Sequence, residues 1–165
     1  MKRIIIHWTA GNYFPSEYEK QFYHFLIDKD GKVWEGKFKP ENNLRCVKGY
    51  YAAHTGGGNT GSIGVALCGM CGFRNKNCQG DYPITSEQFE AAMEHCAKLA
   101  IKYDIPVSPL TVMTHYEFGI RHPDTSSRGK IDITFIPPYS WVEKDDAGKF
   151  IRSKIKWYKE KLQGE

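Results

Sequence analysis

Three consecutive isoleucines, Ile4 to Ile6, run straight into a histidine in the segment RIIIHWT (Arg3 to Thr9). The run is short and β-branched, and the turn-forming cluster AGNYFPS closes it, so it reads as a buried strand ending at Thr9 or Ala10. A chain that starts this way must build a sheet around that strand. His7 then sits near the strand's C-terminal end, a polar ring closing the most apolar run of the sequence.

The rest of the chain alternates strand and helix signals. QFYHFLIDKDGKVWEG alternates about Asp30-Gly31, a favoured turn pair, and predicts a hairpin with Phe22, His24, Leu26 and Asp28 on one face and Tyr23, Phe25 and Ile27 on the other. HTGGGNTG is a glycine-rich loop leading into SIGVALCG, an apolar run of strand length. Thr85 and Gln88 have capping-box spacing, and Phe89, Ala92, Met93, Cys96, Leu99, Ala100 and Tyr103 follow at helical spacing, with Pro106 beyond the end. PLTVMTH predicts one more short strand, with His115 at its end. The last helix, expected at about 148–163, carries Ile151, Ile155, Tyr158 and Leu162 on one stripe. Interleaved strands and helices predict an α/β fold, a central mixed β-sheet flanked by helices, although strand order is not readable from this pattern. At 165 residues, 41% apolar and 25% charged, the chain is expected to be a single domain spanning 1–165.

No apolar stretch approaches the roughly 18 residues of a membrane span, and the N-terminus lacks the apolar core and cleavage site of a signal peptide. The expectation is a protein made soluble in the cytoplasm, reaching any target outside by another route. Five cysteines fit a secreted disulfide framework poorly, so reduced thiols are expected. The net charge of +4 is concentrated in the last helix, where Lys149, Arg152, Lys154, Lys156, Lys159 and Lys161 face a lone acid, Glu160. Such a tail is either a solvated face or a contact for an anionic surface.

Chemistry enters with His7, His115 and the segment SSRGKIDITF. Both histidines follow apolar β-rich runs. In an extended chain Lys130 and Asp132 point to the same side. Two histidines and one carboxylate can hold zinc and leave the fourth position open to water, the ligand arithmetic of a hydrolytic site.

IIIHWTA, QFYHFLID, AAHTGGGNTGSIGVAL, THYEFG and GKID, in this order, resemble the zinc-dependent N-acetylmuramoyl-L-alanine amidases of short phage lysins, which are similar to peptidoglycan recognition proteins. The resemblance covers about residues 3–136. It implies an amidase-like fold, with His7, His115 and Asp132 as ligands of Zn²⁺ and Tyr23 and Lys130 as the catalytic pair. Another branch of the family carries a glutamate base where this chain has Ala66. The reaction implied is hydrolysis of the lactyl amide joining N-acetylmuramic acid to L-alanine, in periplasmic or cell-wall peptidoglycan. Lys130 would stabilise the oxyanion, and Tyr23, with an ordinary pKa of about 10, would orient or relay a proton more readily than act as base. His54 and Asn59 match groove positions and are expected to touch substrate. Peptidoglycan is the expected partner, with anionic envelope contact through the basic helix; a nucleic-acid partner is not expected, and a monomer is.

Two other readings compete. A recognition module would bind peptidoglycan without cutting it, but binding-only members commonly lose a zinc ligand. Cys68 and Cys71 have redox or zinc spacing, with Cys78 nearby, yet a thiol-centred protein leaves His7, His115 and Asp132 unexplained. Buried free thiols are the expected state.

Overall fold

A computed structural model of the chain describes residues 1–164. Five strands form one sheet: β1 (Arg3–Trp8), β2 (Phe25–Ile27), β3 (Val33–Glu35), β4 (Ser62–Leu67) and β5 (Val112–Thr114), in the order β3-β2-β4-β1-β5. β1 runs parallel to β4 along its whole length, from Arg3 beside Ser62 to Trp8 beside Leu67, and parallel to β5 on its other edge. β2 is parallel to β4, while β3 returns antiparallel after the Asp30-Gly31 turn. The sheet is therefore mixed, as expected. Ile4, Ile5 and Ile6 are fully buried, because β1 is covered on both faces, the setting in which parallel strands lose polar alternation.

Among the described residues three α-helices, with four short 3-10 turns, complete the fold: α1 (Ser86–Lys102), α2 (His115–Arg121) and α3 (Ala147–Gln163). Helix α1 starts at the capping box, with Thr85 Oγ1 accepting from Gln88 N–H and Gln88 Oε1 accepting from Thr85 N–H, each at 3.2 Å. Gln88 is buried, and its Nε2 also donates to the carbonyls of Ile27 and Cys68, tying the cap to the ends of two strands. The main core joins Ile4, Ile6 and Trp8 of β1 to Phe89 and Met93 of α1 and to Ile151 and Ile155 of α3. Ile5 points the other way, into a small cluster with Met113 and Phe118. Among the described residues no helix is long and apolar enough to cross a membrane.

The structure corrects three expectations. His115 is the first residue of α2 and not a strand end: Thr114 caps that helix in a box with Glu117, a T-x-x-E signal of the same kind as the one at Thr85. The 126–136 segment holds no strand. There Asp132 is drawn inward, its carbonyl accepting from Tyr116 N–H at 2.6 Å, while Lys130 stays exposed. Finally, two of the six bases of the tail are engaged within the protein. Arg152 grips both carboxylate oxygens of Glu117 at 2.9 and 3.0 Å, and Lys154 pairs with Glu90 at 3.0 Å. Exposed positive charge on α3 is carried by Lys149, Lys156 and Lys161, with Lys159 half-buried.

All five cysteines are free thiols, Cys68 and Cys96 buried and Cys71 and Cys78 exposed.

Candidate metal centre

Three separate elements meet at the carboxyl end of the parallel strands, where open α/β sheets form their sites. β1 carries His7 one residue before its end, α2 begins with His115, and the turn after α2 brings in Asp132. His7 Nδ1 lies 3.1 Å from His115 Nδ1 and 3.0 Å from Asp132 Oδ2. The third side of the triangle, His115 Nδ1 to Asp132 Oδ2, is 3.3 Å. All three residues are buried, with exposures of 1%, 6% and 8%. Among the described residues they are the one group of histidine, cysteine, aspartate and glutamate side chains placed to share an ion.

The donor set and its spacing fit a metal. Ligands bound at about 2.0–2.1 Å in a tetrahedron stand roughly 3.3 Å apart, close to the separations found here. The protonation states agree. Burial, with the charges of His115 and Lys130 adding to it against the pull of Asp132, pushes His7 down to about 4. Burial alone would raise the Asp132 carboxyl, but its hydrogen bonds to His115 and His7 outweigh that and hold it well below the usual range. A neutral imidazole and an ionised carboxylate are the forms that bind a cation.

Tyr23 stands beside this group, its ring centroid 5.2 Å from that of His7. Burial, reinforced by the charge of Asp132, pushes its phenol well above the ordinary range, so it carries its proton at neutral pH and can donate a hydrogen bond. Lys130 is exposed, yet its charge is felt at His7. Ala66 lies in register beside His7 and is fully buried, so a methyl group occupies that position.

The two residues expected to touch substrate lie in the loop that packs behind His7. His54 is only 6% exposed and lies behind His7, its Nδ1 3.1 Å from His7 Nε2 and 2.7 Å from Thr55 Oγ1, its Nε2 3.2 Å from the Ser62 carbonyl. Asn59, half-buried, braces the loop: its Oδ1 accepts from Thr55 N–H at 2.8 Å and its carbonyl from Asn43 Nδ2 at 3.1 Å. The glycines explain the packing. A Cβ on Gly56 would collide with the Ser126 hydroxyl, and one on Gly64 would sit 2.5 Å from the His54 ring. They permit close packing of this loop against the 125–127 turn and the sheet, where the sequence reads as an open binding loop. Sequence reasoning also missed Thr55 and Ser127, both fully buried. Ser127 Oγ lies 2.9 Å from His115 Nε2 and donates to the Gly56 carbonyl at 2.7 Å. A short polar run, Thr125 to Ser127, was the available signal.

The sequence model described as N-acetylmuramoyl-L-alanine amidase matches residues 1–132. No curated protein sequence matches this chain. Among known structures, the N-acetylmuramoyl-L-alanine amidase LysC from Clostridium intestinale is similar, with 18% identity over 94% of this chain and 85% of that one, at a TM-score of 0.57. A point mutant of PlyL gives 20% identity, 94% and 84% coverage and a TM-score of 0.55. AmiD from E. coli, an N-acetylmuramyl-L-alanine amidase in complex with an anhydro-muropeptide substrate, gives 18%, 81% and 52%, and 0.54. At these identities the structural likeness establishes the shared fold.

Proposed function

The chain belongs to the N-acetylmuramoyl-L-alanine amidase family, over a match that ends on Asp132, and from this premise we propose that it hydrolyses the amide between N-acetylmuramic acid and L-alanine in bacterial peptidoglycan, with zinc held by His7, His115 and Asp132. The observation that carries the reading is the buried triangle of two imidazole nitrogens and one carboxylate oxygen with sides of 3.0 to 3.3 Å. A zinc ion there supplies Lewis acidity and activates water at neutral pH.

The protein's own groups do the rest. Lys130, exposed at the edge of the site, offers positive charge to the carbonyl oxygen as negative charge develops on it. Tyr23, held protonated, donates a hydrogen bond or relays a proton and does not serve as a base. With Ala66 beside His7, no carboxylate is available there for that duty. His54 packs behind His7 and Asn59 braces the loop that carries it, which leaves the half-buried Asn59 available to substrate. A purely recognising module is less well supported, since a complete ligand set is present with Tyr23 and Lys130 beside it. The setting that suits this chemistry is a phage-type lysin, made in the host cytoplasm and acting on the wall beyond the inner membrane.

The test is mass spectrometry of purified peptidoglycan after digestion. The expected products are stem peptides with free L-alanine amino termini, formed by the zinc-loaded protein and not in the presence of chelator. Binding of peptidoglycan without such termini would support the recognition module instead.

A further inference from the structure

Trp141 and Trp157 are 69% and 54% exposed, although an indole gains by leaving water. Neither ring is loose, because each stands edge-on against a tyrosine that the fold holds in place. Trp141 meets Tyr139 at 5.4 Å between centroids, and Trp157 meets Tyr158 at 4.9 Å. Both tyrosine hydroxyls donate to Glu90 of α1, each at 2.7 Å. Phe150 packs on Tyr139 at 4.9 Å. Phe150, Ser153 and Trp157 follow at i, i+3 and i+7 along α3, which sets them in one line. Two shallow grooves of about 350 and 370 Å³ meet on that line and share Phe150 and Ser153, the first bordered by Trp141 and the second by Trp157.

The charges along this line cancel. Glu143 and Asp146 border the first groove with Lys149, Glu90 and Lys154 pair at 3.0 Å in the second, and the Lys161 ammonium lies over the Trp157 ring, 5.1 Å from its centre. Three acids against three bases give little field to gather a polymer rich in phosphate or carboxylate. Fixed, exposed rings in a balanced setting, with a hydroxyl and carboxylates between them, suit a ligand with an apolar C–H face and a rim of hydroxyls, which is a pyranose. The first groove also shares Val142 and Glu143 with a third, lined by Tyr116 and Ile131, the sequence neighbours of His115 and Asp132. The surface thus runs on toward the metal centre. We propose that the surface between Trp141 and Trp157 is a second, non-catalytic binding site for a neutral saccharide chain, the glycan strand of peptidoglycan. That the strand belongs to peptidoglycan rests on the amidase reading above; that the site takes a saccharide does not. A strand seated there keeps the protein on the wall while stem peptides are cut at the metal centre.

The experiment titrates the whole chain with a hexasaccharide of N-acetylglucosamine, which carries no peptide and has no lactyl amide to cut. By NMR, the indole Nε1–H signals of Trp141 and Trp157 should move, while those of the buried Trp8 and of Trp34, whose Nε1 donates to Asp28, stay in place. Trp141→Ala and Trp157→Ala should each weaken binding about tenfold or more, as loss of an aromatic anchor does, and Trp157→Phe should keep most of it. Binding should be the same at low and high salt, since the ligand is uncharged. If an alanine variant does not fold by circular dichroism, the indole signals of the unsubstituted protein decide. Unmoved Trp141 and Trp157 signals, unchanged affinity in both folded alanine variants, or tryptophan-dependent binding of phosphatidylglycerol vesicles in place of the hexasaccharide would each overturn the proposal. A protein that binds the hexasaccharide here and releases no stem peptides from peptidoglycan would refute the amidase reading alone; one that releases them and does not bind would refute this site alone.

Discussion

The two faces of the central sheet are made from the same strands and do opposite things. On one, Ile63, Val65 and Leu67 of β4 join Ile4, Ile6 and Trp8 of β1 under α1 and α3. On the other, β4 offers Ser62, Gly64 and Ala66, and β1 offers Ile5 and His7. The first face is filled by large apolar volume, which stabilises in proportion to the area removed from water. The second gives up volume so that His24, His54 and His7 can lie against the strands, and buried polar groups of this kind are tolerable only when satisfied. They are satisfied: His24 bonds Asn43 and the Gly64 N–H, and His54 bonds Ser62 and Thr55. The one buried side-chain nitrogen without a partner among the described residues, Nε2 of His95, sits on α1 against Phe25. Alternation along a strand thus separates stability from chemistry by a single residue.

The division is tested most severely by one substitution on each face. Asp132→Ala should remove the metal and lower hydrolysis by about 10³-fold or more, since a Lewis-acid metal is worth several kcal/mol to such a reaction, while the metal-free protein still folds, at a cost in urea unfolding of about 1–3 kcal/mol from the lost buried hydrogen bonds. Phe89→Ala, at a side chain 1% exposed in the core, should cost about 3–5 kcal/mol in urea unfolding and leave the folded protein binding one metal per chain. Unfolding by the first or loss of metal by the second would show that the faces are not separable.

The apolar face was legible in the sequence and most of the polar face was not. Ile4 to Ile6, the SIGVAL run and the Thr85–Gln88 box encode β1, β4 and α1 in local pattern, because burial and capping act at fixed short spacings. The grouping of His7, His115 and Asp132 was expected from ordered motifs resembling a family, not from spacing, since 108 and 125 residues separate His7 from its two partners. The roles of His54, Thr55 and Ser127 depend on which atom faces which across the loop, and no period records that. Lys130 and Asp132 show the limit most plainly. Alternation predicts one shared side, but a turn held by the Tyr116 N–H sends Asp132 inward and leaves Lys130 exposed.

Both faces carry a buried histidine that responds to acid, His95 on the apolar side and His24 on the polar side. Burial, against a favourable bond to Asn43, pushes His24 down to about 4 from an ordinary 6.5. Its folded pKa is thus below its unfolded one, so between pH 6.5 and about 4 the unfolded chain binds the extra proton and stability falls as pH falls. Above that window both states are neutral and the contribution vanishes. For this residue, 1% exposed, the loss should approach about 3 kcal/mol at the acid end. Urea unfolding of metal-free protein across this range should show the slope, and His24→Gln, which can keep both hydrogen bonds and cannot titrate, should make it shallower, leaving the part carried by His7, His54 and His95, which burial depresses in the same direction. A slope unchanged by that substitution would move the acid sensitivity away from His24.

The smallest effect on the fold, and the sharpest distinction between surfaces, is expected on α3, which repeats the two-faced design in a helix. Its inner side buries Ile151 and Ile155, and Arg152 clamps Glu117 of the helix that begins with His115. Its outer side exposes Lys149, Lys156 and Lys161. Changing these three to Gln should shift stability by no more than about 0.5 kcal/mol, as surface substitutions usually do. Hydrolysis of a small soluble muropeptide, which needs only the metal centre, should be unchanged. Action on intact envelopes should fall, and its salt dependence should weaken with it, because exposed charges are screened beyond about 8 Å at physiological ionic strength. Arg152→Ala is the control: it strips a clamp from α2 and should lower stability, and with it both activities. If the triple change spares whole envelopes as well, the outer face of α3 is solvated surface; if it lowers both activities equally, those lysines act through the fold, and the two sides of the helix are not independent.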